Sequence, residues 1–505
     1  MKKLFGLFVM MLFTFTLAAC GGGDKKPVKT TEETTTSTEP SEEDQTTINL
    51  KGADFIIMCN NAKSCDPRNT EYERLFKAEK ADLIDKVEKK YNVKVKYVQF
   101  PSDASWGGAR QRWIIEQTTL GNAPAHIYEM NSSEIGILAL QKAILPLDDL
   151  IEKYGSDLYW PESQAFGKLD GKQYTYHDSF PIADYGIYYN TKLLANYLGE
   201  ERANEPTKLW LEGKWDWAAF KSIADELNAK LDENRSRDEG GPQYVLGGRT
   251  YNWAYQMIAA NGGYLVDTDF RVGLTDDEAI NALNFLNGLR STPGMWIDTA
   301  DLSNASQPEF KDGNVAFHNG QSWWAFQDNK WKGRDFQLGF VPYPTGDDTA
   351  EDLSNYHVTN SGLAAYVISS AFSKDLIPEG YEDMMIHDEI IFQIWADLQY
   401  FPAKDETTGY ASLEDIKDEF YYSRLVANYG DEDSRNAHLQ VIDRSYPDSF
   451  SSFSDAGSQN ESGWMLKIQD AIVNGDIRNK MMALKSIIES VAKENYSLPE
   501  DYYTE

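Results

Sequence analysis

From residue 50 onward, the apolar positions switch between two periods. Phe55 to Met58 form a short apolar run after Ala53-Asp54, which suits a buried first strand. Leu83, Val87 and Tyr91 then recur four apart, marking one face of a helix that Asn92 ends. Val93, Val95 and Tyr97 alternate with Lys94 and Lys96, which is strand spacing. The pattern predicts a second helix over Ala109 to Leu120, stopped by Gly121-Asn122, and a third strand over Ala125 to Met130. Strand, helix, strand, helix, strand implies a parallel sheet. Ligands of open α/β sheets sit beyond the carboxyl ends of the strands. That rule puts Asn60, Asn61, the loop around Trp106, and Asn131 to Glu134 at a candidate cleft. Thr275-Asp276-Asp277-Glu278 reads as a capping box, opening a helix with Ala279, Ile280, Leu283 and Leu286 on its apolar face. Pro293-Gly294 ends that region, and a last helix is expected over about Asn479 to Glu494. No internal repeat is visible.

The first residues follow neither period. Lys2 and Lys3 precede an apolar stretch, Leu4 to Ala18, too short for the roughly 20 residues that span a bilayer. This is the layout of a secretory signal peptide, residues 1–19. Leu17-Ala18-Ala19-Cys20 closely resembles a bacterial lipobox, which implies cleavage before Cys20 and a diacylglycerol thioether on its sulfur, with acyl chains such as palmitate. More than one acyl chain makes anchoring stable, at about 0.8 kcal/mol per buried methylene. The segment GGGDKKPVKTTEETTTSTEPSEEDQTT that follows holds one aliphatic residue, Val28, and reads as a disordered tether. Its 27 residues would reach about 30 Å from the membrane as a flexible coil. The expected location is the extracellular face of a cell membrane, held by lipid.

Composition narrows the classes. The remaining stretch is too long for one small core and suits two lobes of roughly 200 residues each. A formal net charge of −32 repels phosphate backbones and argues against a nucleic-acid partner. Aromatic residues reach 13 %, with 13 Trp and 29 Tyr; their flat apolar faces and polar edges match the C–H faces and hydroxyls of sugars, although most of them are expected in the core. Cys59 and Cys65 could form a disulfide in an oxidising compartment or stay as a free pair. The six His are scattered without a zincin-type pair, and there is no P-loop, dinucleotide fingerprint, EF-hand loop or serine-hydrolase elbow. The expectation is therefore no catalytic residue, no metal and no cofactor. Eighty carboxylates keep a glycosidase open on this reasoning alone.

Several segments resemble the family 1 extracellular solute-binding proteins, the maltodextrin-binding type. NAPAHIYEMNSSEIGILALQKAILPLDDL (Asn122 to Leu150) is similar to the family's strand, cleft loop and helix. GKQYTYHDSFPIADYGIYYNTKLL (Gly171 to Leu194) resembles its hinge-crossing strand, and YNWAYQMIAANGGYLVD (Tyr251 to Asp267) carries its Asn-Gly-Gly turn. FKDGNVAFHNGQSWWAF (Phe310 to Phe326), GFVPYPTGD (Gly339 to Asp347) and GLAAYVIS (Gly362 to Ser369) follow in the family's order. One departure is His126, where the family often has Asp. The stretch from Asp397 to Ser462 is longer than the family's minimal pattern.

The resemblance implies an α/β, two-lobed type II periplasmic-binding-protein fold with a hinge between the lobes. The expected lobes are 48–175 plus 332–370, and 176–331 plus 371–505. It also implies the ligand-binding set. Trp323 or Trp324 would stack on sugar, Tyr251 and Trp253 would line the second lobe, and Trp464 would be a late cleft aromatic. Asp184 and Tyr185 would sit at the cleft after the crossing strand, with Asn60, Trp106, Asn131 and Glu134 on the first lobe. Each has a plainer reading as core or solvated loop. The implied function is capture of a sugar, most simply an oligosaccharide, by a monomer that delivers it to the membrane permease of an ABC importer. A peptide or polyamine ligand, a sensor role and a surface glycoside-active enzyme stay open.

Overall fold

The computed structural model describes residues 48–505 apart from 73, 75, 180–182, 184, 232–239, 298–306, 326–329, 347–348, 350–351, 360–363, 374–375, 377–387, 402–428, 430, 454–462, 497 and 504–505, and apart from the side chains of 162, 323 and 452. Cys20, the tether and Asp184 lie outside the described residues. Residues Ile48–Glu505 form one compact unit.

The main strands, in chain order, are β1 (Ala53–Cys59), β2 (Val93–Gln99), β3 (Ile127–Asn131), β4 (Tyr185–Asn190), β5 (Tyr244–Gly247), β6 (Val315–Gln321), β7 (Leu338–Val341) and β8 (Ala364–Ile368). They make two four-stranded sheets, in the orders β8-β3-β1-β2 and β5-β6-β4-β7. In the first sheet, β1 runs parallel to β2 and β3, and β8 runs antiparallel to β3. In the second, β5 and β6 are parallel, and β4 runs against both β6 and β7.

Helices cover both sheets. The first lobe carries α1 (Lys77–Tyr91) and α2 (Gly107–Thr119), and the second carries α3 (Thr191–Leu198), α4 (Trp217–Asn228), α5 (Thr250–Ala260) and α6 (Asp277–Arg290). Further along are α7 (Asp388–Asp397), α8 (Glu432–Leu439), α9 (Trp464–Asn474) and α10 (Ile477–Asn495). The period-four reading of α1 holds, with Ile84, Val87 and Tyr91 as its buried face and Leu83 only half-buried beside them. Phe55, Ile57, Val93 and Val95 alternate inward from the first sheet and pack against α1 and α7. Both faces of the second sheet are covered, Ile187 and Tyr189 on one side and Tyr188 on the other.

Three expectations change. Leu338–Val341 pairs with β4 in the second sheet, so the second lobe extends through β7 instead of ending at 331. The helix at 388–397 belongs to the first lobe, because Ile391, Phe392, Ile394 and Trp395 complete its core. The box at Thr275 does not form: Asp276 is the N-cap of α6 and makes no side-chain capping bond, while the Thr275 hydroxyl accepts from Lys485 at 3.5 Å. Among the described residues, no helix is long and apolar enough to cross a membrane.

The connections orient the lobes. The chain enters β4 at Tyr185, opposite Gln321, the carboxyl end of β6. It enters β8 at Ala364, opposite Asn131, the carboxyl end of β3. Tyr185 and Ala364, the first residues of β4 and β8, therefore both lie at the carboxyl-end edges of their sheets, where ligands of open α/β sheets sit.

Candidate functional site

The first-lobe edge is built on a buried charge pair. Arg110, on α2, is fully buried and ion-paired to the Glu134 carboxylate, which is itself buried. The Arg110 guanidinium also donates to the Asn60 side-chain oxygen. Glu134 Oε2 further accepts from the Asn131 backbone N–H at 2.9 Å, which fixes the turn after β3. Two rings bracket the guanidinium, Phe100 and Trp106, each with its centroid 5.2 Å away. The Trp106 ring is 63 % exposed although its residue begins α2. Arg110 Nε and Glu134 Oε1 are buried and have no hydrogen-bond partner among the described residues.

Behind this edge lies a second polar knot. Glu129 accepts from Arg74 at 2.6 Å, from the Asn60 N–H at 3.1 Å and from the Cys65 thiol at 3.3 Å. Burial alone would raise its carboxyl, but the Arg74 charge and these donors hold it below the usual glutamate value. Cys59 and Cys65 are both free, so the disulfide left open by their spacing is not formed; the Cys65 thiol is turned to Glu129 instead. Burial pushes the Cys59 thiol up, with its hydrogen bond to Cys65 acting the same way. The two sulfurs and a Glu129 oxygen lie within 4.8 Å of one another, but Arg74 already occupies that carboxylate. His126 is core: its Nδ1 accepts from the Ile56 N–H at 3.0 Å, and its ring stacks on Phe55.

The second-lobe edge collects Tyr185, the turn after β5 and the turn after β6. Gly248 sits at φ +93°, and a Cβ there would fall 1.8 Å from the Asn319 side chain, so the turn needs glycine to present Arg249. Arg249 donates to the Tyr251 hydroxyl at 2.6 Å and lies 5.7 Å from that ring's centroid. Lys330 places its ammonium 4.3 Å from the Trp324 ring centroid.

The structure divides the expected set. Asn60, Trp106, Asn131 and Glu134 come together on the first edge, and Tyr185, Tyr251 and Trp324 on the second. Asn131 and Glu134 shape the turn and hold Arg110. Tyr251 and Trp324 are buried, but each meets a cation at the edge. Trp253 and Trp464 leave the set, because both are packed in the core. Trp253 donates to the Gly247 carbonyl at 2.8 Å among Phe220, Trp296 and Tyr343, and Trp464 packs on Phe450 and Phe453. Arg110 and Arg249 were missed. The spacing of Trp106 and Arg110, one helical turn apart, was the available signal.

Two cavities lie apart from these rings. One, of about 30 Å³, is lined by Ser132, Ser133, Lys168, Asp448, Ser449 and Ser451, where a first-lobe turn meets a second-lobe turn. It has room for about one water. The other, of about 720 Å³, lies under the C-terminal tail between Tyr264, Arg271, Lys485 and Tyr502 and shares no residue with either edge.

The sequence model of the bacterial extracellular solute-binding proteins matches residues 82–377, more than half of the chain. No curated protein matches. Among solved structures, the chain is similar to an ABC substrate-binding protein from Listeria monocytogenes in complex with cycloalternan, at 15 % identity and a TM-score of 0.54, over 88 % of this chain and 99 % of that one. That likeness is one of fold: two α/β lobes of the periplasmic-binding type. With more than half its length matched, the chain belongs to the bacterial extracellular solute-binding protein family.

Proposed function

We propose that the protein captures an oligosaccharide between its lobes and delivers it to the permease of an ABC importer. The observation that carries this reading is Trp106. A large ring, 63 % exposed, is held against a buried guanidinium at the strand-end edge. An indole in that setting offers a flat apolar face to sugar C–H groups, and Arg110 behind it keeps the ring from folding onto the protein. Asn60, Asn131 and Tyr185 supply hydroxyl partners around it. The similar Listeria protein, solved with cycloalternan, supports the sugar class. Closure of the lobes about the crossing segments would bury the ligand.

The reading includes lipid anchoring through Cys20, delivery as a monomer, and binding without turnover. Thermal unfolding with maltodextrin oligosaccharides, peptides and polyamines tests it. Ligand at a hundred times its dissociation constant should add about 2.7 kcal/mol, or roughly 3 °C for a chain this size. A shift with sugars, and recovery of the sugar intact, supports the proposal. A shift with peptides or polyamines alone, or recovery of cleaved sugar, would refute it.

A further inference from the structure

The 720 Å³ cavity in the second lobe takes no part in the cleft, yet its size is that of a small-molecule site, roughly 300–1,000 Å³. Three pieces of chain wall it. The segment between α5 and α6 brings Tyr264, Arg271 and Asp276; α10 brings Lys485 and Glu489; the stretch after α10 brings Tyr502 and Tyr503. The last wall is pinned in place. The Tyr502 hydroxyl donates to the Asp269 carbonyl at 2.5 Å, and the Tyr503 hydroxyl to the Phe270 carbonyl at 2.7 Å. Phe270 holds φ at +65°, a left-handed conformation that bulky residues seldom adopt, and its ring stacks on Tyr496 with centroids 4.0 Å apart. Asp267 fixes the same turn by accepting from the Asp269 and Arg271 N–H groups at 2.9 and 2.8 Å. Asp276 occupies the N-cap of α6, where an aspartate ordinarily bonds the first turn. Its side chain makes no capping bond and lines the cavity instead. Lys485 and Glu489 stand 3.7 Å apart beside it.

The lining selects the chemistry of the ligand. Among the ten described residues that line the cavity, five are charged: Arg271 and Lys485 against Asp276, Glu489 and Asp501. The two signs nearly cancel, so the cavity favours an ion of neither sign strongly. A neutral hydroxyl, donor and acceptor at once, finds partners of both kinds there. Val272 and Pro499 are the aliphatic members of that lining, so a purely apolar ligand would strip water from the charged groups without replacing it. The rings of Tyr264, Tyr502 and Tyr503 add flat apolar faces. We infer that this cavity is a second carbohydrate site, taking a neutral sugar segment against the tyrosines, with Asp276 accepting from its hydroxyls and Lys485 donating to them. The site is separate from the cleft, and what it takes does not depend on what the cleft takes.

Calorimetric titration of the full chain tests this, with neutral maltodextrin and mannan oligosaccharides, spermidine and oligogalacturonates as probes. Asp276→Ala and Lys485→Met are each placed in the parent chain and in a Trp106→Ala chain. Asp276 makes no capping bond, so Asp276→Ala should melt as its parent does. At least one neutral oligosaccharide should still bind the Trp106→Ala chain. Adding Asp276→Ala or Lys485→Met should weaken that binding roughly tenfold or more, as for one hydrogen bond to a charged group. Raising the salt should leave it unchanged, since the ligand carries no charge. Loss of all sugar binding with Trp106→Ala, or residual binding indifferent to both cavity variants, would overturn the second site and leave the cleft reading standing. A cavity that answers to spermidine or oligogalacturonate and to no neutral sugar would overturn it as well. Sugar binding untouched by Trp106→Ala and lost with the cavity variants would support this site and overturn the cleft reading. Silence of every probe would overturn both.

Discussion

The two edges of the cleft are built inside out relative to each other. On the first lobe, the charges are buried and the ring is outside: Arg110 and Glu134 are sealed in, and Trp106 stands exposed over them. On the second lobe, the rings are sunk and the charges are outside: Tyr251 and Trp324 are buried, and Arg249 and Lys330 lie over them. Both arrangements rest on the same contact between a cation and an aromatic face. What differs is which partner is exposed, the ring on the first edge and the cation on the second.

The comparison breaks most readily at the buried pair. Glu134→Ala leaves the Arg110 guanidinium buried and unpaired, and it frees the Asn131 N–H. Removing one partner of a buried pair costs about 3–5 kcal/mol. Arg249→Ala removes an outer cation and is expected to change stability by no more than about 1 kcal/mol, the worth of its one hydrogen bond. Urea midpoints of the two variants check the contrast. Equal losses would mean that the edges are not built differently.

Rings give the next effect. Trp253→Ala should cost about 3–5 kcal/mol, because the indole is wholly buried and its neighbours can only partly collapse. Trp464→Ala should fall in the same range. If either variant kept full stability and lost only ligand affinity, its ring would belong in the cleft after all.

Local periodicity made the first lobe legible. Ala53–Cys59, Lys77–Tyr91 and Val93–Gln99 were found to within a few residues because each shows its own spacing. The lobe boundaries were not legible. Leu338–Val341 is short and buried, and its partner β4 lies about 150 residues earlier, so nothing local says which sheet it joins. Trp253 and Trp464 are core, which was not legible for a related reason: sequence names an indole but not its exposure. Trp253 and Trp106 looked alike, and tertiary packing separates them. Arg110 and Arg249 escaped notice because an arginine's role depends on what distant strands bring beside it.

Acid should separate the lobes. Burial draws His126 and His177 from 6.5 down to about 4. The unfolded chain takes up these protons first, so stability falls as pH drops from 6.5 toward 4, by up to about 3 kcal/mol per histidine. Both pack in the first lobe, His177 against Tyr159 and Tyr366. In the second lobe, His438 behaves alike, being lowered to about 4 by burial, and half-buried His357 adds a smaller effect of the same sign. Asp448 opposes them: burial raises it from 3.8 to about 6, so the folded state binds its proton first and gains stability as pH falls through that window. Hydrogen exchange followed by peptide at neutral and mildly acidic pH should show the first lobe losing more protection. Equal loss in both lobes would break the comparison.

The smallest expected effect bears most directly on function. Trp106 is the N-cap of α2 and makes no capping bond, whereas Asn190 caps α3 by accepting from the Leu193 N–H at 3.0 Å. Ser is among the best residues at an N-cap, and gaining such a cap stabilises a helix by about 1 kcal/mol. Tryptophan there forgoes that gain to keep a ring exposed. Trp106→Ser should therefore melt slightly higher than the parent chain while losing most of its sugar affinity. Opposite signs for stability and binding at one residue are what a ligand-facing side chain on a helix start predicts. A variant that lost both would show that Trp106 is needed to seal Arg110, and the outer ring of the first lobe would then be structural, like the sunken rings of the second.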